Sequence, residues 1–215
     1  QGKILDNLNN EEFNFIECQT NQQSTKIVDL FFNQPRNAEI SQILSPQRKG
    51  DAGITNINKI IQSITSDNKK PIYEREEDEV KFYPGDKVIQ TSNNYDLMVM
   101  NGDVGEIIRK SGNEYIIEIN NKEVSYSAKD IYQIELAYAI SIHKSQGSEY
   151  QFTIIPISSE HDYMLSRNLI YTAVTRGKKK VTLVGEFEAF KKGVNDYIKD
   201  FRYTNLSFLF HEKFM

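Results

Sequence analysis

The sequence predicts an α/β fold in which a layered domain with a parallel sheet carries a small all-β barrel as an insertion. Three observations predict it. Residues 13–64 run in the order strand, helix, strand, loop, helix, which is the opening of an α/β layer. Residues 83–134 hold several short apolar runs separated by close turns, the pattern of a small barrel. After them Gln133 to Tyr138 resumes the α/β pattern, so the barrel interrupts one domain and leaves that domain discontinuous.

Phe13 to Cys18 alternates as a strand does, and Asn21 to Phe32 has helical spacing, with Ile27, Val28, Leu30 and Phe31 available to a core. Pro35 is expected to end that helix. Glu39 to Leu44 reads as a second strand, stopped by Pro46 before Gln47-Arg-Lys-Gly50. A helix is expected over Ala52 to Ile64, because Ile54, Ile57, Ile60, Ile61 and Ile64 fall on one face at helical spacing. From Ser66 to Asp78 the chain becomes charged and loses apolar period, and is expected to form an exposed connector.

Within the barrel the strands are expected at Lys87–Thr91, Val104–Ile108, Tyr115–Ile119 and Glu123–Tyr126, with hairpin turns at Ser111-Gly112-Asn113 and Asn120-Asn121. Phe152 to Pro156 then reads as a buried strand, a helix starts near Leu165 and ends at Arg176, and Val181 to Gly185 is another apolar run. Phe187, Phe190, Val194 and Ile198 predict a last helix reaching about Phe201, and Tyr203 to Phe210 is apolar enough to pack on something.

Composition narrows the function. At 215 residues, 39% apolar and 11% aromatic, the chain can bury a core, and no apolar run reaches the roughly 20 residues that cross a bilayer. A soluble, cytoplasmic protein without a membrane partner is expected. Cys18, the single cysteine, excludes a disulfide framework and reads as a buried thiol. His143, His161 and His211 lack metal-ligand spacing, so no resident metal is predicted. A net charge of −4 argues against a generally basic coat for nucleic acid, which leaves local clusters to carry any such contact. The opening Gln1-Gly2-Lys3, without an initiator methionine, is read as the start of a piece of a longer protein.

The polar clusters stand just outside strands, where open α/β sheets bind ligands. His143, Lys144, Ser145 and Gln146 are expected on a short helical turn broken by Gly147, which allows close backbone approach, and Arg176 closes the helix that follows. This combination reads as a phosphate site. His143 and Ser145 have no third orienting acid and lie on one short segment, so a hydrolase triad is rejected. Arg48 and Lys49 taken alone read as a solvated turn, Arg176 as a cation on a helix C-terminus, and Lys178 to Lys180 as a solvated loop. Tyr95 and Tyr138 could offer stacking platforms for bases or could simply be packed. No Gly-x-x-x-x-Gly-Lys-Ser/Thr loop and no strand ending in paired acids is present, so the chain by itself is not expected to hydrolyse a nucleotide.

His143-Lys-Ser-Gln-Gly-Ser-Glu149 followed by Tyr171-Thr-Ala-Val-Thr-Arg-Gly-Lys-Lys179 resembles motifs V and VI of superfamily 1 DNA helicases, closest to the RecD-like branch (the exodeoxyribonuclease V alpha subunit family). Leu44-Ser-Pro-Gln-Arg-Lys-Gly50 is similar to motif IV, which turns Arg48 from a solvated cation into a candidate. Tyr83-Pro-Gly-Asp-Lys-Val88, Asn93-Asn-Tyr-Asp96 and Asn101-Gly-Asp-Val-Gly105 resemble the RecD-like barrel. A Pif-like helicase shares His-Lys-Ser-Gln-Gly, but Gly147-Ser148-Glu149 and the Gly-Asp-Lys-Val run favour the RecD-like branch.

The resemblance implies the second RecA-like motor domain of a P-loop-type ATPase, lacking the phosphate loop, with an inserted SH3-like barrel. The division it implies is 1–78 and 135–190 for the motor domain, 79–134 for the barrel and 191–215 for a helical tail. ATP and Mg2+ would sit at the interface with an N-terminal RecA-like domain of the same protein. Arg176 would be the first arginine finger and Arg48 the second, suited by a planar, always charged fork. Gln146, Gly147 and Glu149 would lie near the nucleotide, and His143, Lys144, Ser145, Thr172, Asn94 and Tyr95 near single-stranded DNA. The implied activity is ATP-driven translocation with 5′ to 3′ unwinding, in DNA repair or recombination and with subunits of such assemblies as further partners. The alternative is a DNA-binding or partner-docking module that retains the fold without the motor.

Overall fold

The computed structural model describes residues 9–34, 40–161 and 164–196. Five parallel strands form the main sheet. They are β1 (Phe13–Glu17), β2 (Ser41–Ser45), β10 (Ala139–Ser141), β11 (Tyr150–Ile157) and β12 (Gly177–Gly185), in the spatial order β1-β12-β11-β2-β10. Strands from before and after the barrel therefore share one sheet, with Ile43 beside both Ala139 and Ile154.

Both faces of this sheet are covered, and the strand residues divide between them by simple alternation. Ile43, Ile154 and Val184 point to the face packed by α1 (Gln23–Phe32) and α2 (Ile54–Thr65), where Ile27, Phe31, Ile57 and Ile61 meet them. Leu44, Ile155 and Leu183 point to the other face, toward α3 (Arg167–Val174) and α4 (Phe187–Asn195), against Ile170, Ala173 and Phe190. The expected strands and helices are present with shifts of a few residues at their ends. Pro35, expected to stop α1, and Glu39, expected to open β2, lie outside the described residues. So do Phe201 and the run Tyr203 to Phe210; of the predicted tail, α4 is described up to Asn195.

The charged stretch before the barrel is not a plain connector. β3 (Tyr73–Arg75) pairs antiparallel with β4 (Val80–Phe82), and Tyr73 stacks on Phe82 at 5.6 Å and meets the edge of Tyr115 at 5.4 Å. Two strands of three residues, flanked by acids, are too short to show a period in the sequence. The barrel sheet itself is antiparallel in the order β8-β7-β6-β5-β9, built from β5 (Lys87–Gln90), β6 (Val104–Ser111), β7 (Glu114–Ile119), β8 (Lys122–Tyr126) and β9 (Ile134–Leu136). Asn120 and Asn121 both take positive φ, 52° and 58°, which is the geometry of the two-residue hairpin that joins β7 to β8. β9 corrects the expectation for Gln133 to Tyr138: residues 134–136 pair with β5 in the barrel, and the parallel sheet resumes only at Ala139.

The junction between barrel and main sheet is polar and buried. Asn58 on α2 donates to the carbonyls of Leu136 and Ala139 and accepts from the Ala139 amide. Asp86 accepts from the Tyr83 amide, Gln62 Nε2 and the Tyr138 hydroxyl. Tyr138 is thereby 3% exposed and bonded, which removes it as a platform for bases. Lys87, on the first strand of the barrel sheet, donates to the carbonyl of Ser41 at the start of β2. Full burial lowers its pKa from 10.5 to about 7.

That shift has a defined sign. Below pH 7 Lys87 is protonated whether the chain is folded or unfolded; between pH 7 and 10.5 the unfolded chain keeps a proton the folded chain has released, so stability rises with pH across that window. Urea unfolding of the wild type should gain about 2 kcal/mol from pH 7 to 9 relative to Lys87→Met. Parallel pH profiles for the two proteins would refute the assignment.

Candidate functional site

The site is built where two crossovers of the parallel sheet come together. The first, residues 142–149, leaves β10 and must reach the start of β11. It does so as linked turns, with the Gln146 amide on the His143 carbonyl and the Ser148 amide on the Ser145 carbonyl. Gly147 sits at φ +87° in this segment, and a Cβ placed there would meet nothing within 4 Å, so its role is backbone freedom and not close packing. The second crossover contains α3, which starts at the cap Ser166, whose hydroxyl accepts from the Leu169 amide.

Between the turns and α3 lies a cleft of about 330 Å³ lined by His143, Gln146, Met164, Ser166, Asn168, Leu169 and Thr172. Three residues singled out from the sequence, His143, Gln146 and Thr172, thus share one wall-to-wall space. His143 and Gln146 are exposed within it, while the Thr172 hydroxyl donates to the Asn168 carbonyl along α3. Met164, Ser166, Asn168 and Leu169 were not foreseen. Only their position after a buried strand marks them in the sequence.

Arg176 closes the bottom of this arrangement. Its Nε donates to the Thr172 carbonyl at the end of α3, Nη1 to the Ser148 carbonyl and Nη2 to the Thr175 hydroxyl. The Arg176 carbonyl also accepts from the Tyr150 amide at the head of β11. The guanidinium therefore ties the end of α3 to the end of the turn segment while three of its five N–H groups are engaged. Glu149 pairs with Lys178 at 2.7 Å, and that hydrogen bond holds the Glu149 carboxyl below its ordinary range. Lys178 to Lys180 lie in β12 and do not form the expected loop.

Arg48 stands elsewhere. It follows β2, is 70% exposed and reaches Glu135 on β9, which also binds Lys144. It shares no hydrogen-bond partner with Arg176. Glu135 was missed in the sequence, where one acid in a strand carries no signal.

Two of the expected DNA contacts need correction. Ser145 is fully buried and its hydroxyl donates to the Ile142 carbonyl, so it shapes the turn from inside. Asn94 spends its side chain inside the barrel, accepting from the Leu97 amide in its own loop and donating toward Asp130 and Gln133 in the turn before β9. Its neighbour Tyr95 is 73% exposed, together with Met98 at 85%.

Comparison with known proteins bears on this geometry. Residues 136–184, which contain the turn segment, α3 and Arg176, match the family described as the UvrD-like helicase C-terminal domain. Residues 57–124 match the SH3 domain of ATP-dependent RecD-like DNA helicases. The chain belongs to the RecD-like helicase family. This RecD-like chain is 31% identical over 150 residues to the ATP-dependent RecD2 DNA helicase of Deinococcus radiodurans, covering 70% of the chain and 21% of that protein. It is 29% identical over 158 residues to the RecBCD enzyme subunit RecD of Haemophilus influenzae, covering 74% of the chain and 23% of that subunit. The RecD-like chain thus spans about a fifth of the length of these relatives.

A crystal structure of Pif1 helicase from Bacteroides in complex with ADP-AlF3 and ssDNA superimposes with a TM-score of 0.53 at 14% identity, over 91% of the RecD-like chain and 55% of that one. Pif1 helicase from Candida albicans gives 0.50 at 13%, over 82% and 53%. At these identities the likeness concerns the fold, a helicase motor sheet with an SH3-like domain.

Because Gly147 owes its place to φ alone, Gly147→Ala should lower stability by about 1–2 kcal/mol and Gly147→Asn by less, as read from urea midpoints. Equal midpoints for all three proteins would remove backbone strain as its reason.

Proposed function

We propose that this chain is the second motor half of an ATP-dependent helicase that moves on single-stranded DNA and unwinds duplex, with the barrel inserted into a motor domain formed by the chain before and after it. The observation that carries the reading is the joint placement of His143, Gln146 and Thr172 on one cleft whose two walls are tied together by Arg176. A site whose walls are fixed to one another can pass a displacement from a nucleotide to a DNA strand.

In this reading ATP binds between the chain and an N-terminal RecA-like half of the same protein. Arg176, with two N–H groups beyond its three internal bonds, meets the γ-phosphate first, and Arg48 second. Gln146, Gly147 and Glu149 lie toward the nucleotide; His143, Lys144, Thr172 and Tyr95 lie toward DNA. Among the described residues no three of His, Cys, Asp or Glu are grouped as metal ligands, and in this reading the carboxylates that hold Mg2+ beside ATP come from the N-terminal half. Movement from 5′ to 3′, and work beside recombination or repair subunits, come from the family resemblance. No helix among the described residues is long and apolar enough to cross a membrane.

One observation favours a second reading. The internal bonds of Arg176 are what a structural arginine would make on a helix C-terminus, as in a module that keeps the fold without the motor.

The two readings part on ATP hydrolysis by the full-length protein with single-stranded DNA present. Arg176→Ala and Arg176→Lys should each lower kcat by about 10³ or more while ATP and DNA still bind, because lysine keeps the charge but loses the fork. Arg48→Ala should lower kcat less. Hydrolysis unchanged in both Arg176 variants, or absent in the wild type, supports the module.

A further inference from the structure

Arg48 and Lys144, which the preceding reading assigns to different ligands, end on one carboxylate. Lys144 Nζ donates to Glu135 Oε2 at 2.8 Å, while Arg48 Nη2 lies 3.3 Å from Oε2 and 3.4 Å from Oε1. The three residues come from three places in the chain: the loop after β2, the turn segment after β10, and β9 of the barrel. Among the described residues neither cation has a second side-chain hydrogen bond.

The cluster contributes little to holding the fold. Its side chains are 70%, 48% and 32% exposed for Arg48, Glu135 and Lys144, and ion pairs at such exposure add little to stability. For the same reason a phosphate can take either cation at small cost. Burial by itself would raise the Glu135 carboxyl, but the bond and charge of Lys144, and then Arg48, bring it below the ordinary value. Glu135 therefore stays ionised at neutral pH and competes with any anion that approaches.

We propose that Glu135 is a positioning residue that couples the nucleotide to DNA by competing with both for their cations. This rests on the helicase reading and names a regulator within it. A phosphate that captures Arg48 leaves the carboxylate undivided on Lys144, which makes Lys144 harder for DNA to take. Linkage makes the effect mutual, so DNA on Lys144 weakens the nucleotide by the same factor. The short Lys144 bond and the long Arg48 bond set the order: the nucleotide displaces Glu135 more readily than DNA does.

The test uses the full-length protein, a fluorescent non-hydrolysable ATP analogue and a labelled oligo-dT, each titrated with and without the other. Glu135→Gln keeps shape and removes charge, so both ligands should bind tighter, each by about 2- to 5-fold, and their mutual antagonism should shrink. Loss of a merely structural contact would not tighten binding. In the wild type the antagonism should also fade as salt is raised from 50 to about 300 mM, whereas Glu135→Gln should show little such change. Unchanged or weaker affinities in Glu135→Gln, with both ligands bound by the wild type, overturn the role of Glu135 and leave the helicase reading standing. A wild-type protein that binds neither ligand overturns both.

Discussion

Everything in the site follows from one constraint, that parallel strands of one sheet cannot be joined by a tight turn. Each connection has to cross a face of the sheet, because the next strand starts at the end where the previous one began. β10 to β11 and β11 to β12 are two such crossings, and they land side by side as the turn segment 142–149 and α3. Their proximity makes the cleft of His143, Gln146 and Thr172, and their ends meet at Arg176. The apolar alternation of β2, β11 and β12 holds the crossings down, since every second residue needs a covered face on either side.

The barrel is attached by a different kind of interaction. At its junction the chain buries Asp86, Lys87 and Asn58, groups that burial tolerates only when each finds a partner. Asp86 finds three, Asn58 bridges the strand that closes the barrel to the strand that reopens the main sheet, and Lys87 reaches the head of β2. Such directional bonds fix the orientation of the barrel more narrowly than an apolar contact of the same size would. Glu135, on the same closing strand, then stands in reach of both Arg48 and Lys144.

Sequence reading went furthest where a local period or a local motif was enough. The helices with repeating isoleucines, the long strands and the paired asparagines of the β7–β8 hairpin were legible because neighbours in sequence decide them. β3 and β4 were not, since three residues are less than a period, and β9 was assigned to the main sheet because Ile134 and Leu136 suit either sheet equally well. In the site, His143, Gln146, Gly147 and Arg176 stood out by their grouping. The engagement of Asn94 with Asp130 and Gln133 and the bond of Tyr138 to Asp86 depend on partners 36, 39 and 52 residues away.

By itself the sequence determined the class of fold, the presence of an inserted barrel and the short segments that carry the polar chemistry, because periods and motifs are properties of adjacent residues. Only the tertiary structure decided which side chains face a common space and which are consumed in holding it. Arg176 shows the difference: its place at the end of a helix could be read from the chain, but its bonds to Ser148 and Thr172 exist because two crossovers were forced to the same end of one parallel sheet. Glu135 shows it more sharply, since it becomes a shared counter-ion only when folding brings Arg48, 87 residues away, to 3.3 Å and Lys144 to 2.8 Å of the same carboxylate.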